Sequence, residues 1–115
     1  MNINEVTYAA GTPVEGYGEG YWRIAGQRWA GAALVLPGGP VAWDGTHGRI
    51  LAAAGEIDVL LLGTGAEIAH ADPTLREPLE EAGVGVEVMA SAQAARTYNV
   101  LLGEGRRVAC ALLPI

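Results

Sequence analysis

Along this chain, segments whose apolar residues recur at the spacing of a helix alternate with apolar runs that are typical of strands. From about Thr46 onward the pattern predicts helix, strand, helix, strand, helix and strand, which is typical of an α/β domain with a mixed or mostly parallel sheet. Residues 1–19 show little periodicity, and we expect an irregular lead-in there. Residues 20–115 are predicted to form a single globular domain.

An N-terminal β-hairpin is predicted where two apolar segments flank residues 25–27. Gly26 at this turn can adopt a positive φ, as tight hairpin turns require. The second arm runs from Trp29 to Leu36 and ends at the Pro-Gly-Gly-Pro sequence of residues 37–40. A short strand is expected from Val41 to Trp43.

Two helices are predicted before the strand expected at residues 85–89. Asp44 is expected to cap the first, from about Thr46 to Ala54. Asp72 is expected to cap the second, because Pro73 follows at the first helical position, where a missing N–H costs nothing. Pro78 predicts either a kink in this helix or a helix that begins later, because proline removes a backbone hydrogen bond.

The C-terminal third of the chain predicts a strand, a helix and a returning strand. The apolar run of residues 57–63 is predicted to be the central strand of the sheet, because a continuous apolar run is typical of a strand that is covered on both faces. Strands are also expected over residues 85–89 and 107–113, joined by a helix from Ser91, its cap, to about Glu104. The buried stripe of that helix is Ala94, Ala95, Tyr98, Leu101 and Leu102.

The charge of the chain argues against a polyanionic partner. There are 13 acidic residues against 7 basic ones, which gives a net charge of -6, and all of the basic residues are arginine. Nucleic acids and anionic membranes bind basic patches, so neither is an expected partner. Membrane insertion is not expected either, because the longest uncharged stretch, Trp29 to Trp43, falls short of a bilayer span. The absence of lysine also excludes Schiff-base chemistry and a P-loop.

Cysteine use and the N-terminal sequence favour a soluble, cytoplasmic protein. Cys110 is the only cysteine, and its place in an apolar run predicts a buried strand thiol in a reducing compartment. The first residues have neither the basic start nor the apolar segment of a signal peptide.

The glycine-rich sequence Gly63-Thr64-Gly65 is a first candidate binding loop. It directly follows the predicted central strand, at the carboxyl end where open α/β sheets bind ligands. It lacks the third glycine of a dinucleotide fingerprint and the lysine of a P-loop. The loop therefore is either a tight strand exit or part of a ligand site.

Three polar residues of the C-terminal unit complete the candidate site. Glu87 interrupts a strand that we expect to be covered, so its carboxylate either pairs with Arg96 or Arg107 or serves as a perturbed acid or base. Arg96 and Asn99 share a helix face, where they could bind an anion or the backbone of a partner protein. The alternative is that both bond within this chain, Arg96 to a nearby carboxylate and Asn99 to a loop carbonyl. We predict that Glu87 and Arg96 lie close together and interact.

No catalytic residue, metal site or cofactor is predicted. His47 and His70 are far apart in the sequence and have no neighbouring ligands at metal-binding spacing. Ser91 is the only serine and lacks the glycine context of a hydrolase nucleophile.

Four segments, residues 62–65, 83–89, 96–102 and 104–109, carry motifs that are specific in combination. Together they resemble the family of mitochondrial complex I assembly factor 3 and its small bacterial and archaeal relatives, and the resemblance covers about Gly18 to Pro114. It implies a three-layer fold in which helices pack on a mixed, mostly parallel sheet and an extra N-terminal β-hairpin forms a further layer. Mitochondrial members act in building the respiratory NADH dehydrogenase through protein contacts, and the family's own activity is unassigned.

These observations favour a non-catalytic interaction or assembly protein over an enzyme. The resemblance implies a protein partner, respiratory or membrane-associated, and a homo-oligomer is compatible with it. The alternative is a domain or enzyme that binds a small anionic ligand in a cleft at Gly63-Thr64-Gly65, with Glu87, Arg96 and Asn99 as the other candidate residues.

Overall fold

Residues 11–115, which a computed structural model describes, form two β-sheets and three α-helices. The predicted lead-in over residues 1–10 lies outside this range. The small sheet consists of β1 (Val14–Gly18), β2 (Tyr21–Ile24) and β3 (Gln27–Ala30). The large sheet consists of β4 (Ala33–Leu36), β5 (Gly39–Ala42), β6 (Val59–Gly63), β7 (Gly85–Met89) and β8 (Val108–Leu112). The helices are α1 (Gly48–Ala52), α2 (Pro73–Glu81) and α3 (Ser91–Gly103).

The small sheet contains the predicted hairpin and one strand more. Ala25 and Gly26 form the two-residue turn between β2 and β3 with φ values of 54° and 73°, as a tight hairpin turn requires. Residues 14–18, expected to be irregular, form β1 and pair antiparallel with β2. The predicted long second arm is divided at Gly31, whose φ is 78°, so that β3 and β4 belong to different sheets.

The large sheet is mixed, as predicted, with strand order β5-β4-β8-β6-β7. β6 runs parallel to β7 and β8, whereas β4 runs antiparallel to β5 and β8, so the pairings divide evenly between the two types and the predicted parallel majority is wrong. The central strand is β8 and not β6, because β4 from the N-terminal half pairs with the far side of β8. That pairing joins Ala33–Val35 to Cys110–Leu112, which are distant in the sequence, and it leaves no local signal there.

Alternate residues of the central strands bury two separate apolar cores. On one face, α3 and the small sheet cover side chains such as Leu61, Cys110 and Val35. On the other face, α1 and α2 cover side chains such as Leu60 and Ala109. The molecule therefore has three layers, which confirms the predicted α/β class with an extra N-terminal β-layer.

The helix starts agree with the sequence only in part. Asp72 caps α2 as predicted, accepting a 2.9 Å hydrogen bond from Thr74 N, and the helix begins at Pro73 despite Pro78 inside it. The later start that Pro78 suggested is therefore wrong. Asp44 does not cap α1, because its carboxylate closes a turn by accepting bonds from the backbone N and hydroxyl of Thr46. Within residues 11–115 no helix is long and apolar enough to cross a bilayer.

Gly63 allows α3 to begin directly against the end of β6. A Cβ at this position would lie 2.7 Å from the Cα and Oγ of Ser91 and 3.0 Å from a methyl group of Leu112. Since the Cα of Ser91 is backbone, the start of the helix would have to move to admit a methyl group.

We therefore expect Gly63→Ala to destabilise the protein by about 1–3 kcal/mol, through overpacking. The matched control is Gly85→Ala on β7, where a Cβ would make only an ordinary 3.4 Å contact with Val59. The control should change stability little, and urea unfolding of the two variants measures the difference. Equal stabilities would contradict the requirement for glycine at position 63.

Candidate functional site

The polar groups of the loop after β6 form hydrogen bonds with other parts of this chain. The Thr64 hydroxyl donates to Glu67 O at 2.8 Å and accepts from Ala69 N at 2.9 Å, while Thr64 N donates to Met89 O at 3.0 Å. Gly65 is buried with a φ of 102°, and its N–H donates to the Ser91 hydroxyl at 2.7 Å. The glycine-rich sequence thus has the geometry of a tight strand exit, with these donors already bonded.

Ser91 joins three segments of the chain. It is the first residue of α3 and is fully buried, whereas the N-cap position is occupied by Ala90, so the predicted capping role is wrong. The hydroxyl accepts from Gly65 N and donates to Leu113 O, each at 2.7 Å, and Ser91 N donates to Gly65 O at 2.8 Å. No sequence signal indicated this role, because the partners lie more than twenty residues away on either side.

Glu87 is exposed on β7, an edge strand of the large sheet. Its side chain lies on the α3 face, in register with Leu61, but α3 packs mainly over β6 and β8 and leaves that edge uncovered. Within residues 11–115 the ion pairs are Arg76 with Glu80 at 3.2 Å and Arg107 with Asp58 at 3.7 Å. The predicted contact between Glu87 and Arg96 is therefore wrong, because the strand that we expected to be covered is at the edge.

Tyr98 and Asn99 fasten the N-terminal segment to α3. The Asn99 amide accepts from Val14 N and donates to Val14 O, both at 2.8 Å, so it pairs with β1 as a neighbouring strand would. The Tyr98 hydroxyl donates to Thr12 O at 2.8 Å, and burial raises the pKa of this phenol well above its usual range. Asn99 thus satisfies backbone groups of this chain, one of the alternatives that the sequence left open.

Arg96 lines a groove between β1 and α3, which we call the arginine groove. Its volume is about 260 Å³, and it is lined by Val14, Glu15, Gly16, Tyr17, Ala92, Ala95, Arg96 and Asn99. Arg96 is exposed and belongs to neither ion pair of residues 11–115. Of the six residues proposed from the sequence, Arg96 and Asn99 share this groove, while Gly63, Thr64, Gly65 and Glu87 do not line it.

A second groove, the edge groove, lies beside β7 on the α2 face of the sheet. It has a volume of about 280 Å³ and is lined by Ile68, Ala69, His70, Ala71, Arg76 and Val88. Arg76 donates to Glu80 and, at 3.4 Å, to Val86 O on the strand. The sequence did not indicate this groove, because the loop before α2 has no periodicity. A groove of about 390 Å³ between the β4–β5 turn and α1 contains none of the sequence candidates.

Metal and thiol chemistry find no support in the described part of the chain. Residues 11–115 contain no group of three or more His, Cys, Asp or Glu side chains placed to hold a metal ion. Cys110 is fully buried in β8, as predicted, and burial raises the pKa of its thiol far above the usual range. The thiol is therefore neutral and inaccessible in the folded protein.

Comparison with known proteins reveals extended similarity. Residues 14–113 match a family described as "Protein of unknown function (DUF498/DUF598)". An uncharacterised protein of Rhodobacter capsulatus is 46% identical over 117 residues, which cover 100% of this chain and 94% of that protein. NADH dehydrogenase (ubiquinone) 1 alpha subcomplex assembly factor 3 of Danio rerio is 32% identical over 99% of this chain and 71% of its own length.

A solved structure supports the same fold. A crystal structure described as an outer membrane protein from Bartonella henselae superposes with a TM-score of 0.85 and 32% sequence identity. The superposition covers 94% of this chain and 98% of that chain. Both the small sheet and the large sheet therefore belong to the shared architecture.

Replacing Asn99 by Ala should loosen β1 from α3. The change leaves the N–H and C=O of Val14 without their partner, and we expect a loss of about 1–3 kcal/mol in unfolding free energy. Amide exchange at Val14 should accelerate more than exchange in β8. Gln93→Ala, at an exposed position of the same helix, is the control and should change neither quantity. Unchanged exchange at Val14 would show that Asn99 does not hold the strand.

Proposed function

We propose a non-catalytic, protein-binding role in the assembly of a respiratory NADH dehydrogenase for this chain, which belongs to the DUF498/DUF598 family of proteins of unknown function. The family resemblance predicted from its motifs is confirmed, since relatives of the chain include complex I assembly factors. The similarity to the Danio rerio assembly factor extends over 99% of this chain, so it involves the whole fold and not a single motif.

One structural observation carries the proposal. Three of the polar residues that could have formed a reactive site, Ser91, Thr64 and Asn99, are hydrogen-bonded within this chain. In contrast, Ile68 is 67% exposed and Tyr17 is 51% exposed, and each lines one of the two grooves. In this proposal a partner protein buries these two side chains, each of which lies beside a groove that a partner side chain could enter.

The proposed place of action is the cytoplasm. The chain has a single cysteine, Cys110, and it is buried and unpaired, which fits a reducing compartment. The partner in this proposal is a subunit or assembly intermediate of the respiratory enzyme, reached at the membrane surface or before membrane attachment.

Deleting the gene in a bacterium that carries it should lower membrane NADH:quinone oxidoreductase activity and cause subassemblies to accumulate on native gels. Succinate oxidation by the same membranes is the control and should be unchanged. A plasmid copy of the wild-type chain should restore the activity. Normal NADH oxidation and normal assembly in the deletion strain would refute the proposal.

The second candidate function is binding of a small anion in the arginine groove. The observation that favours it is the exposed guanidinium of Arg96 in a groove that also holds Tyr17 and Asn99. In an acidic chain, an arginine outside the ion pairs of the described residues is a natural anion ligand. Gly63, Thr64 and Gly65 would contribute indirectly, by fixing the start of α3, and Glu87 would take no part.

A thermal-shift screen of carboxylate and phosphate metabolites tests this candidate. A ligand present at a hundredfold its dissociation constant should add about 2.7 kcal/mol of apparent stability. Arg96→Gln should abolish that shift, while Arg106→Gln, another exposed arginine just after the same helix, should retain it. A shift that survives Arg96→Gln, or no shift with any metabolite, would eliminate the arginine groove as an anion site.

A further inference from the structure

The edge of the large sheet at β7 presents unused backbone groups. Within residues 11–115, β7 pairs with β6 and with no other strand. Gly85 N donates to Asp58 O and Met89 O accepts from Thr64 N, so residues 85, 87 and 89 direct their backbone groups toward β6. By the alternation of a strand, Val86 and Val88 direct theirs outward.

A hydrogen bond from Arg76 confirms that the C=O of Val86 faces away from β6. The Arg76 side chain occupies only part of the β7 edge. Its guanidinium donates to Val86 O at 3.4 Å, which is a long hydrogen bond, and to Glu80 at 3.2 Å. An incoming N–H could replace the first bond while the ion pair with Glu80 remains. The N–H groups of Val86 and Val88 and the C=O of Val88 face away from β6 and can accept a further strand.

The two faces beside this edge differ in chemistry. On the α2 face, Val88 borders the edge groove, whose walls include Ile68, Ala69 and Ala71. On the α3 face, Glu87 is exposed and belongs to neither ion pair of the described residues. Side chains of an added strand would alternate between these faces, one toward an apolar groove and the next toward a carboxylate.

We propose that the free edge of β7 binds an extended segment of a partner protein as a sixth strand, with an apolar side chain in the edge groove and an arginine or lysine beside Glu87. The backbone ladder supplies affinity, and the alternating apolar and basic side chains supply specificity. The proposal rests on the protein-binding function proposed above and names the surface and the partner chemistry. A basic segment also complements the net charge of -6 of the chain.

A second copy of this chain is disfavoured at the same edge in the register of greatest overlap. Antiparallel pairing of two β7 strands with Val86 opposite Val88 would place Glu87 directly opposite Glu87 of the other copy. Like charges at opposed positions destabilise a sheet. A partner with basic residues at that position removes the repulsion and forms a favourable pair instead.

Binding of a designed peptide tests the proposal. The probe is the blocked pentapeptide Val-Arg-Val-Arg-Val, and its binding is followed by calorimetry and by amide exchange of the protein. We expect slowed exchange at the N–H groups of Val86 and Val88, the two that face outward. We also expect Glu87→Arg to weaken binding about fivefold or more, because a favourable cross-strand pair becomes a like-charge pair. Glu81→Gln, at an exposed glutamate of α2 that does not line the edge groove, should leave binding unchanged.

Two further probes separate a backbone ladder from simple charge attraction. The same peptide N-methylated on the edge that faces β7 keeps its charge but cannot donate, and it should lose binding. Val88→Pro removes an N–H that β6 does not use, and it should also lose binding while the melting temperature shows that the variant is folded. Equal binding of the N-methylated peptide, equal binding of Val-Glu-Val-Glu-Val, or slowed exchange outside β7 would overturn the proposal.

Complementation of the deletion strain distinguishes the proposed docking at the β7 edge from the proposed assembly function. If the edge is used, a Glu87→Arg copy should fail to restore NADH dehydrogenase activity to the deletion strain, whereas a Glu81→Gln copy should restore it. Restoration by Glu87→Arg would refute the edge as the docking site and leave the assembly function standing. A deletion strain with normal activity would refute the assembly function itself.

Discussion

The close contact between Gly63 and Ser91 sets the geometry of the rest of the structure. Because Gly63 has no side chain, the first residue of α3 lies directly against the end of β6, and the Ser91 hydroxyl can reach both Gly65 N and Leu113 O at 2.7 Å. This contact fixes where α3 crosses the sheet. The helix then covers β6 and β8 and leaves the same face of β7, the edge strand, largely uncovered.

The small sheet depends on that placement of α3. Its strand β1 is held by the amide of Asn99, and Trp22 and Ile24 of β2 are fully buried in the core that α3 covers. Buried side chains of this size each contribute about 1.5–3 kcal/mol, so the layer is an integral part of the fold. Asn99, one of the site candidates predicted from the sequence, and Tyr98 of the buried stripe therefore attach β1 and the residues before it to α3.

A protein built in this way is suited to binding other proteins. Its hydroxyl and amide groups near the carboxyl ends of the strands are bonded internally, and its thiol is buried. The accessible surface includes Ile68 in the edge groove, Tyr17 in the arginine groove and the outward backbone groups of β7, together with the charged side chains of Glu87 and Arg96. The names of several relatives indicate an assembly role for those proteins, and surfaces of this kind suit such a role.

The sequence by itself determined the elements whose signals are local. The hairpin turn at Ala25-Gly26, the capped start of α2 at Asp72-Pro73 and the buried stripe of α3 follow from spacing and backbone preference within a few residues. Tertiary structure alone decided the rest: β8 is central, β7 is an edge, and Ser91 and Asn99 bond to segments far along the chain. The physical reason is that periodicity reports which face of an element is apolar, whereas strand order and hydrogen-bond partners are set by contacts between distant segments. For that reason the six candidate residues predicted from the sequence, at positions 63–65, 87, 96 and 99, do not line one common cavity.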